Sequence, residues 1–471
     1  MNNRKLAANA AILGTTLLIG GSCTEEPTTR QTPNVIFILA DDLGYADLGC
    51  YGQERFKTPA LDQMAANGIQ FTQHYAGCTV SAPSRCALMT GKHTGNTYVR
   101  GNQGVTCSDG RVYDTPIPTE EFTLAELFKE SGYATACIGK WGLGGPDTDG
   151  APNNQGFDYF YGYLGQGFAH SYFPEFLHEN QNYIPLNGEH YSHDLIEDKA
   201  LDFIKSNSEN PFFLYLSFTL PHAELLLPDQ YMASHQGKYE EGRPYLRPEG
   251  GTYSSQDQPH AAFAAMVERL DLSVERVNQL LAEMGIDDNT LVIFTSDNGA
   301  HEEGGADPDF FNSTGIYRGV KRDLYEGGIR VPMIASWSGV IPAGVKSEVM
   351  SAFWDFMPTF AELIDSQSTI ETDGVSILPA LLGQECSGQE TLYWEFHEQG
   401  GKQAVRKGDW KLIRLNARNR EQSYYELYNI AQDPSEQTNL AESRAEGHAE
   451  IIKELAAIMD ESSTPSSLFV M

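Results

Sequence analysis

The segment Asn34-Val35-Ile36-Phe37-Ile38-Leu39-Ala40 is apolar from its second residue to its last, with no alternation. A strand with one wet face alternates polar and apolar side chains. An unbroken run suits a strand covered on both faces, the normal state of a parallel sheet layered between helices. Similar runs recur at 134–138, 212–218, 290–295 and 329–335. Between them lie amphipathic stretches with helical spacing at 123–131, 193–206 and 261–284. Strands alternating with helices predict a doubly wound α/β domain, a large and mostly parallel sheet flanked by helices. From about Glu390 the character changes to short aromatic and β-branched runs, "LYWEF", "KQAVRKGDWKLIRL" and "SYYELYNI", separated by turn residues. They predict a small antiparallel sheet, followed by a helix around 449–459. A chain of 471 residues with 41% hydrophobic content can build both parts,. We place the larger domain at 33–385 and the smaller at 386–471.

The start of the chain reads as an address. Arg4 and Lys5 precede an apolar stretch at 6–21, too short to span a bilayer comfortably, which ends at Ser22-Cys23,. Small residues before a cysteine resemble a bacterial lipoprotein cleavage site. The expectation is a signal peptide at 1–22, lipidation of Cys23, a tether at 23–32, and export to the periplasm or cell surface on a lipid anchor. The plainer alternative is an ordinary cleaved signal with an incidental cysteine. The other cysteines, Cys50, Cys78, Cys86, Cys107, Cys137 and Cys386, match no zinc spacing,. With 64 acidic against 32 basic residues the net charge is −32. That balance argues against nucleic acid as a partner, because binding it needs lysine and arginine against phosphate. An anionic substrate would require a local positive cluster against this background.

Two of the apolar runs end in acid. The first continues into Asp41-Asp42 and the fourth into Asp297-Asn298. Ligand sites in open parallel sheets collect at the carboxyl ends of strands. Carboxylates beside such apolar runs need neutralising. Three aspartates and an amide, without His or Cys, suit a hard divalent cation rather than zinc. Loop acids capping helices or turns are the structural alternative, weakened by there being two such pairs. Lys140 follows another strand, His222 follows the run at 212–218, and Lys321 and Arg85 fall in predicted loops. A cation with these groups around it would grip a tetrahedral oxyanion and stabilise charge developing on it.

At this point the sequence resembles a known family, the formylglycine-dependent sulfatases of the alkaline phosphatase superfamily. The most specific element is Ser81-x-Pro83-Ser84-Arg85, with Leu88-x-Thr90-Gly91 behind it. "DDLGYADLGCYG", "GKWGLG", "SDNG" and "LYEGGIRVPMI" follow in the family's order. The resemblance implies that a maturation enzyme of the serine-modifying type oxidises Ser81 to an aldehyde, formylglycine. It implies one calcium ion, rather than magnesium, on Asp41, Asp42, Asp297 and Asn298 with modified Ser81 beside it. Arg85 would hold the formylglycine, Lys140 and Lys321 the sulfate oxygens, and His222 the leaving oxygen. A hydrated aldehyde has two hydroxyls, one to attack sulfur and one to expel sulfate afterwards. Ser81 is also expected just ahead of a helix, where free N–H groups favour an anion.

One position departs from the family. Members often carry histidine two residues after the lysine of "GKW", and here that residue is Gly142. The proton acceptor of the release step is thereby open, with Asp297 or a histidine elsewhere as candidates. The stretch "GFDYFYGYLGQGFAHSYFPEF" is an aromatic-rich insert between strands, with Tyr161, Tyr163 and Phe168 expected to pack. His170 within it, and His301 after the second acid pair, are candidate sugar contacts. A sulfated glycan is the expected substrate, and the family context points to galacto configuration. The alternatives are a phosphomonoesterase or phosphodiesterase of the same superfamily, and a lipoprotein that binds sulfated glycan without cleaving it.

Overall fold

In the computed structural model, residues 32–443 and 447–471 are described. The expected signal peptide, Cys23 and most of the tether lie outside the described residues. The first apolar run forms β1 (Asn34–Ala40), and every residue of it is buried. Its side chains divide between two cores. Ile36, Ile38 and Ala40 enter the cluster on one face of the sheet, and Val35, Phe37 and Leu39 enter the cluster on the other. Both faces are therefore dry, which is why the run shows no alternation. Each fully buried Ile, Leu or Val side chain contributes roughly 1.5–3 kcal/mol through this burial.

The other strands of the main sheet are β2 (Ile69–Phe71), β3 (Ala134–Lys140), β4 (Tyr159–Tyr163), β5 (Phe176–Glu179), β6 (Asn182–Pro185), β7 (Phe212–Ser217), β8 (Thr290–Ser296), β9 (Met333–Ser336) and β10 (Val345–Ser347). They form a ten-stranded sheet in the order β10-β2-β9-β8-β1-β7-β3-β4-β5-β6. The centre is parallel: β1 pairs with β7 and β8, and β3 pairs with β7 and β4. The predicted α/β class holds. The pairing Ala40↔Ser296 sets the ends of β1 and β8 side by side. That register brings the two acid pairs together.

The helices follow their sequence signals. Thr123 caps the helix Leu124–Glu130 in a capping box with Glu126,. Pro259 opens and left-handed Gly285 closes the long helix Pro259–Met284,. Two expectations need correction. The run at 329–335 is not one strand. Its start closes a helical turn, Glu326–Ile329, Arg330 makes an isolated antiparallel bridge with Tyr75, and Met333–Ser336 forms a strand antiparallel to β8. Pro332 has no N–H to give a ladder, so it separates the bridge at Arg330 from the strand that begins at Met333,. The aromatic stretch is not an insert between strands either. It supplies β4 to the sheet, with Tyr161 and Tyr163 buried and Phe168 packed against the core.

The C-terminal region forms a four-stranded antiparallel sheet, β11 (Thr391–Phe396), β12 (Lys402–Lys407), β13 (Trp410–Leu415) and β14 (Tyr424–Asn429), in sequence order. The helix His448–Glu461 covers one of its faces through Leu455 and Met459. The other face shares a core with the larger part: Trp394 lies beside Tyr75 and Trp354, and its indole donates to Ala76 O at 3.0 Å. This sheet also fixes the segment that carries Lys321. Lys411 Nζ reaches Glu326 at 3.0 Å, and Lys402 Nζ donates to the backbone oxygen of Arg322 at 2.7 Å.

Candidate active site

Asp41 and Asp42 follow the last residue of β1, and Asp297 and Asn298 follow that of β8. Asp42 takes a left-handed φ of 64°, tolerated by aspartate,. Its N–H donates to Asp297 Oδ1 at 3.0 Å, and Asn298 Nδ2 donates to Asp42 Oδ1 at 2.7 Å. Lys140, the last residue of β3, extends Nζ to Asp41 Oδ2 at 2.7 Å. Lys321 Nζ lies 2.7 Å from Asp42 Oδ2 and 3.1 Å from Glu303 Oε2. All of these side chains except Glu303 are buried. Burial pushes the Asp41 carboxyl up, but Lys140, His222, Arg85 and Lys321 outweigh it and hold the group well below its ordinary range. Burial pushes Asp42 up to about 6, with Lys321 and His301 opposing.

Ser81 is the first residue of the helix Ser81–Thr90, whose ten residues are all buried. Pro83 falls in the first turn, where no intrahelical N–H is needed, and left-handed Gly91 ends the helix,. Ser81 Oγ donates to Asp41 Oδ1 at 3.1 Å and receives Lys140 Nζ at 3.4 Å. One turn on, Arg85 points back to the same place. Its Nε and Nη2 reach Asp297 Oδ2 at 3.2 and 2.9 Å, and Nη1 donates to Lys140 O at 2.9 Å and to Ser217 Oγ. Ser84 turns away from Ser81: its hydroxyl donates to Asp297 O at 2.5 Å and accepts from Gly77 N–H at 3.0 Å.

His222 donates from Nδ1 to Ala223 O, which leaves Nε2 to accept from Lys321 Nζ at 3.1 Å. Its ring has two stacked neighbours. His170 lies with centroids 5.1 Å apart, and His301 at 5.6 Å. The two neighbours differ. His301 is buried with both nitrogens engaged, Nε2 on Pro221 O and Nδ1 on Glu303 N–H. Both of its ring nitrogens are thus engaged within the protein, unlike Nδ1 of His170. His170 faces a cavity of about 220 Å³ that Ser81, Lys140, His222 and Lys321 also line.

The same cavity is walled by Asn102, Asp114, Gln166, Tyr253 and Arg322, none of which the sequence singled out. Asp114 accepts from Gln166 N at 2.8 Å and from Gln166 Nε2 at 2.9 Å. They come from loops and a short edge strand without hydrophobic period or motif, so no sequence signal marks them. Gln166 also explains Gly142. With φ at +78°, a Cβ there would stand 2.8 Å from Gln166 Cγ.

The donor set fits a hard cation. Carboxylates of Asp41, Asp42 and Asp297 converge with Asn298, whose amide Oδ1 is buried and without a hydrogen-bond partner. An orphaned buried carbonyl oxygen is an acceptor waiting for a positive charge. His222 is close enough to Asp41 and Asp42 to complete a ligand group as well, although its Nε2 already serves Lys321.

Three buried acids, three cations and a hydroxyl at a helix start are equipped to hold a tetrahedral anion and transfer it, the layout of an ester hydrolase of the alkaline phosphatase-like superfamily. Comparison with known proteins narrows the class. Residues 33–366 match the sulfatase family, and residues 315–464 match the family described as N-sulphoglucosamine sulphohydrolase, C-terminal. The chain belongs to the sulfatase family and is a sulfuric ester hydrolase. An arylsulfatase of Hemicentrotus pulcherrimus is 33% identical over 84% of this chain and 70% of its own length. An N-acetylgalactosamine-6-O-sulfatase of Bacteroides thetaiotaomicron is 29% identical over 91% of this chain and 93% of its own. The crystal structure of Ps i-CgsB in complex with k-i-k-neocarrahexaose has a TM-score of 0.76 at 29% identity, covering 93% of this chain and 94% of that one.

Proposed function

We propose that this sulfatase hydrolyses a sulfate ester on a carbohydrate, through a formylglycine made from Ser81. The observation that carries the reading is the position of Ser81 Oγ, buried at the helix start between Asp41 and Lys140. No base stands beside it in the manner of a serine hydrolase: its neighbours are a carboxylate already paired with lysine and an ammonium. A hydrated aldehyde at this carbon solves the chemistry differently. One hydroxyl oxygen attacks sulfur while the bond from sulfur to the sugar oxygen breaks. The second hydroxyl then loses its proton, the bond from carbon to the sulfate oxygen breaks, and the aldehyde returns.

The residues around Ser81 have distinct work in this scheme. Arg85 fixes Asp297 and the end of β3 and so holds the rear of the pocket in place. Lys140 and Lys321 bind the sulfate oxygens, exchanging part of their contact with Asp41 and Asp42 for the substrate. Lys321 and His222, 3.1 Å apart, share a proton at the side where the sugar oxygen departs. Asp41, Asp42, Asp297 and Asn298 would hold calcium in preference to magnesium, which when bound would draw negative charge from the ester oxygens. The carbohydrate reading is supported by the sulfated-sugar activity named for the Bacteroides relative and the oligosaccharide named in the Ps i-CgsB complex. The polar cavity wall of Asn102, Asp114 and Gln166 is chemistry suited to sugar hydroxyls,. Export, with Cys23 lipidated and the enzyme on the cell surface or in the periplasm, belongs to the same reading. So does a serine-type maturation enzyme that recognises Pro83 and Arg85.

The test is Ser81→Ala in the full chain, assayed on sulfated galactose and N-acetylgalactosamine and on the corresponding phosphates. The expected result is a folded, inactive variant, and a parent that releases sulfate and spares phosphate. Activity retained in the variant would move the nucleophile elsewhere. Phosphate released faster than sulfate would favour a phosphatase.

A further inference from the structure

The release step needs a proton acceptor, and the cavity has few to offer. Asp41 is engaged by Lys140 and Ser81, Asp42 by Lys321 and Asn298, and Asp297 by Arg85. Asp114 is occupied twice by Gln166. Lys140, Lys321 and Arg322 are cations, and the phenol of Tyr253 is pushed up by burial and cannot ionise at neutral pH. His222 has Nδ1 fixed on Ala223 O and Nε2 on Lys321. Position 142 offers no side chain, and one placed there would meet a positive φ and the side chain of Gln166. His170 is different. It lines the cavity with Ser81, and its Nδ1 is buried with no hydrogen-bond partner. Its ring is held flat against His222, at an interplanar angle of 6°, and the ring of Tyr253 lies beside both histidines, 5.2 Å from His170 and 6.0 Å from His222.

We propose that His170 is the catalytic base of the release step. The proposal rests on the formylglycine reading above. In the sulfated intermediate, the remaining hydroxyl on the former Ser81 side-chain carbon gives its proton to the unprotonated nitrogen of the His170 ring. The O–H electron pair becomes the second bond of the aldehyde, and the bond from carbon to the sulfate oxygen breaks with its electrons leaving on sulfate. The imidazolium then returns its proton to water, and hydration of the aldehyde restores the start. The ring lines the cavity with Ser81 and keeps Nδ1 without a hydrogen-bond partner, so it has an acceptor position that no protein donor occupies. The sulfate bound beside it adds negative charge, which strengthens its affinity for a proton at the step that uses it. Stacking on His222 places the acceptor next to the group serving the leaving oxygen, so the two proton transfers occupy neighbouring rings.

The experiment uses the full chain matured to the aldehyde at Ser81, with 4-nitrophenyl sulfate as probe, in the parent and in His170→Ala and His170→Gln. The expected result is one rapid equivalent of 4-nitrophenol per protein in both variants, followed by turnover slowed roughly 10²–10⁴-fold. The Ser81 peptide of the stalled variants should be heavier by one SO₃ group, and added imidazole should restore turnover to His170→Ala. A role in substrate binding alone would raise KM without trapping that adduct, and a structural role would not respond to imidazole. Either outcome overturns the proposal, as do parental rates in both variants. His170→Gln preserves bulk and polarity should the alanine variant fail to fold. An unmodified serine in the natively matured parent would overturn the formylglycine reading itself, whereas an aldehyde without adduct in the variants would overturn only the assignment of His170.

Discussion

Replacing Arg85 by lysine isolates what the guanidinium fork does, because the charge remains and only the geometry goes. Arg85 is fully buried and serves three directions at once: Asp297 Oδ2 through Nε and Nη2, Lys140 O through Nη1, and Ser217 Oγ through Nη1. An ammonium group has a single nitrogen. Placed to keep Asp297, it cannot also reach Lys140 O and Ser217 Oγ from the same point. Two hydrogen bonds from a charged donor, at about 1.5–3 kcal/mol each, are lost, and their acceptors stay buried. The expected loss for Arg85→Lys is therefore about 3–6 kcal/mol of unfolding free energy. Urea unfolding followed by tryptophan fluorescence, parent against variant in the same calcium concentration, reads it directly. A loss below about 1 kcal/mol would refute the reasoning, since that is no more than an exposed ion pair contributes.

Two further expectations concern the metal and Gly142. Without metal, Asp42 is protonated below about pH 6, because burial first, and Asp41 and Glu303 next, push it up. Binding a hard cation must expel that proton, so calcium affinity should fall as pH drops below 6, by about tenfold per unit for one proton. Conversely, the folded metal-free protein loses stability from this group as pH rises through the window between the ordinary carboxylate value and 6. Titration calorimetry between pH 5 and pH 7 checks the affinity, and a flat profile would contradict the assignment of Asp42. Gly142→Ala should destabilise by about 1–3 kcal/mol, since the left-handed φ and the clash with Gln166 both oppose a Cβ,. Thermal unfolding at unchanged or higher temperature would show that Gln166 yields freely.

The central sheet and the acid cluster were legible in the sequence for one reason. A strand buried on both faces leaves an unbroken apolar run, and whatever polar residue follows it stands at the carboxyl edge beside its neighbours' ends. Asp41, Asp297 and Lys140 were located that way before any contact was known. The order of strands was not readable from the runs, nor was the antiparallel direction of β9, because direction is decided by how the chain returns and not by residue pattern. The far wall of the cavity was equally silent. Asp114 ends a three-residue strand, and Gln166 and Tyr253 lie in irregular segments, where no periodicity distinguishes a lining residue from a solvated one. The place of His301 next to the acid pair in sequence carries no information about its ring nitrogens, which pair with Pro221 O and Glu303 N–H. The buried ion pair of Lys411 with Glu326 was invisible for the opposite reason, since charged residues are expected outside and only tertiary structure supplies the partner.

The chemistry turns on the state of one side chain. Mass spectrometry of the peptide containing Ser81, from protein matured in its native host, tests it most directly. An aldehyde at position 81, lighter than serine by two hydrogens, is the predicted result. Serine alone at that position in active enzyme would contradict it.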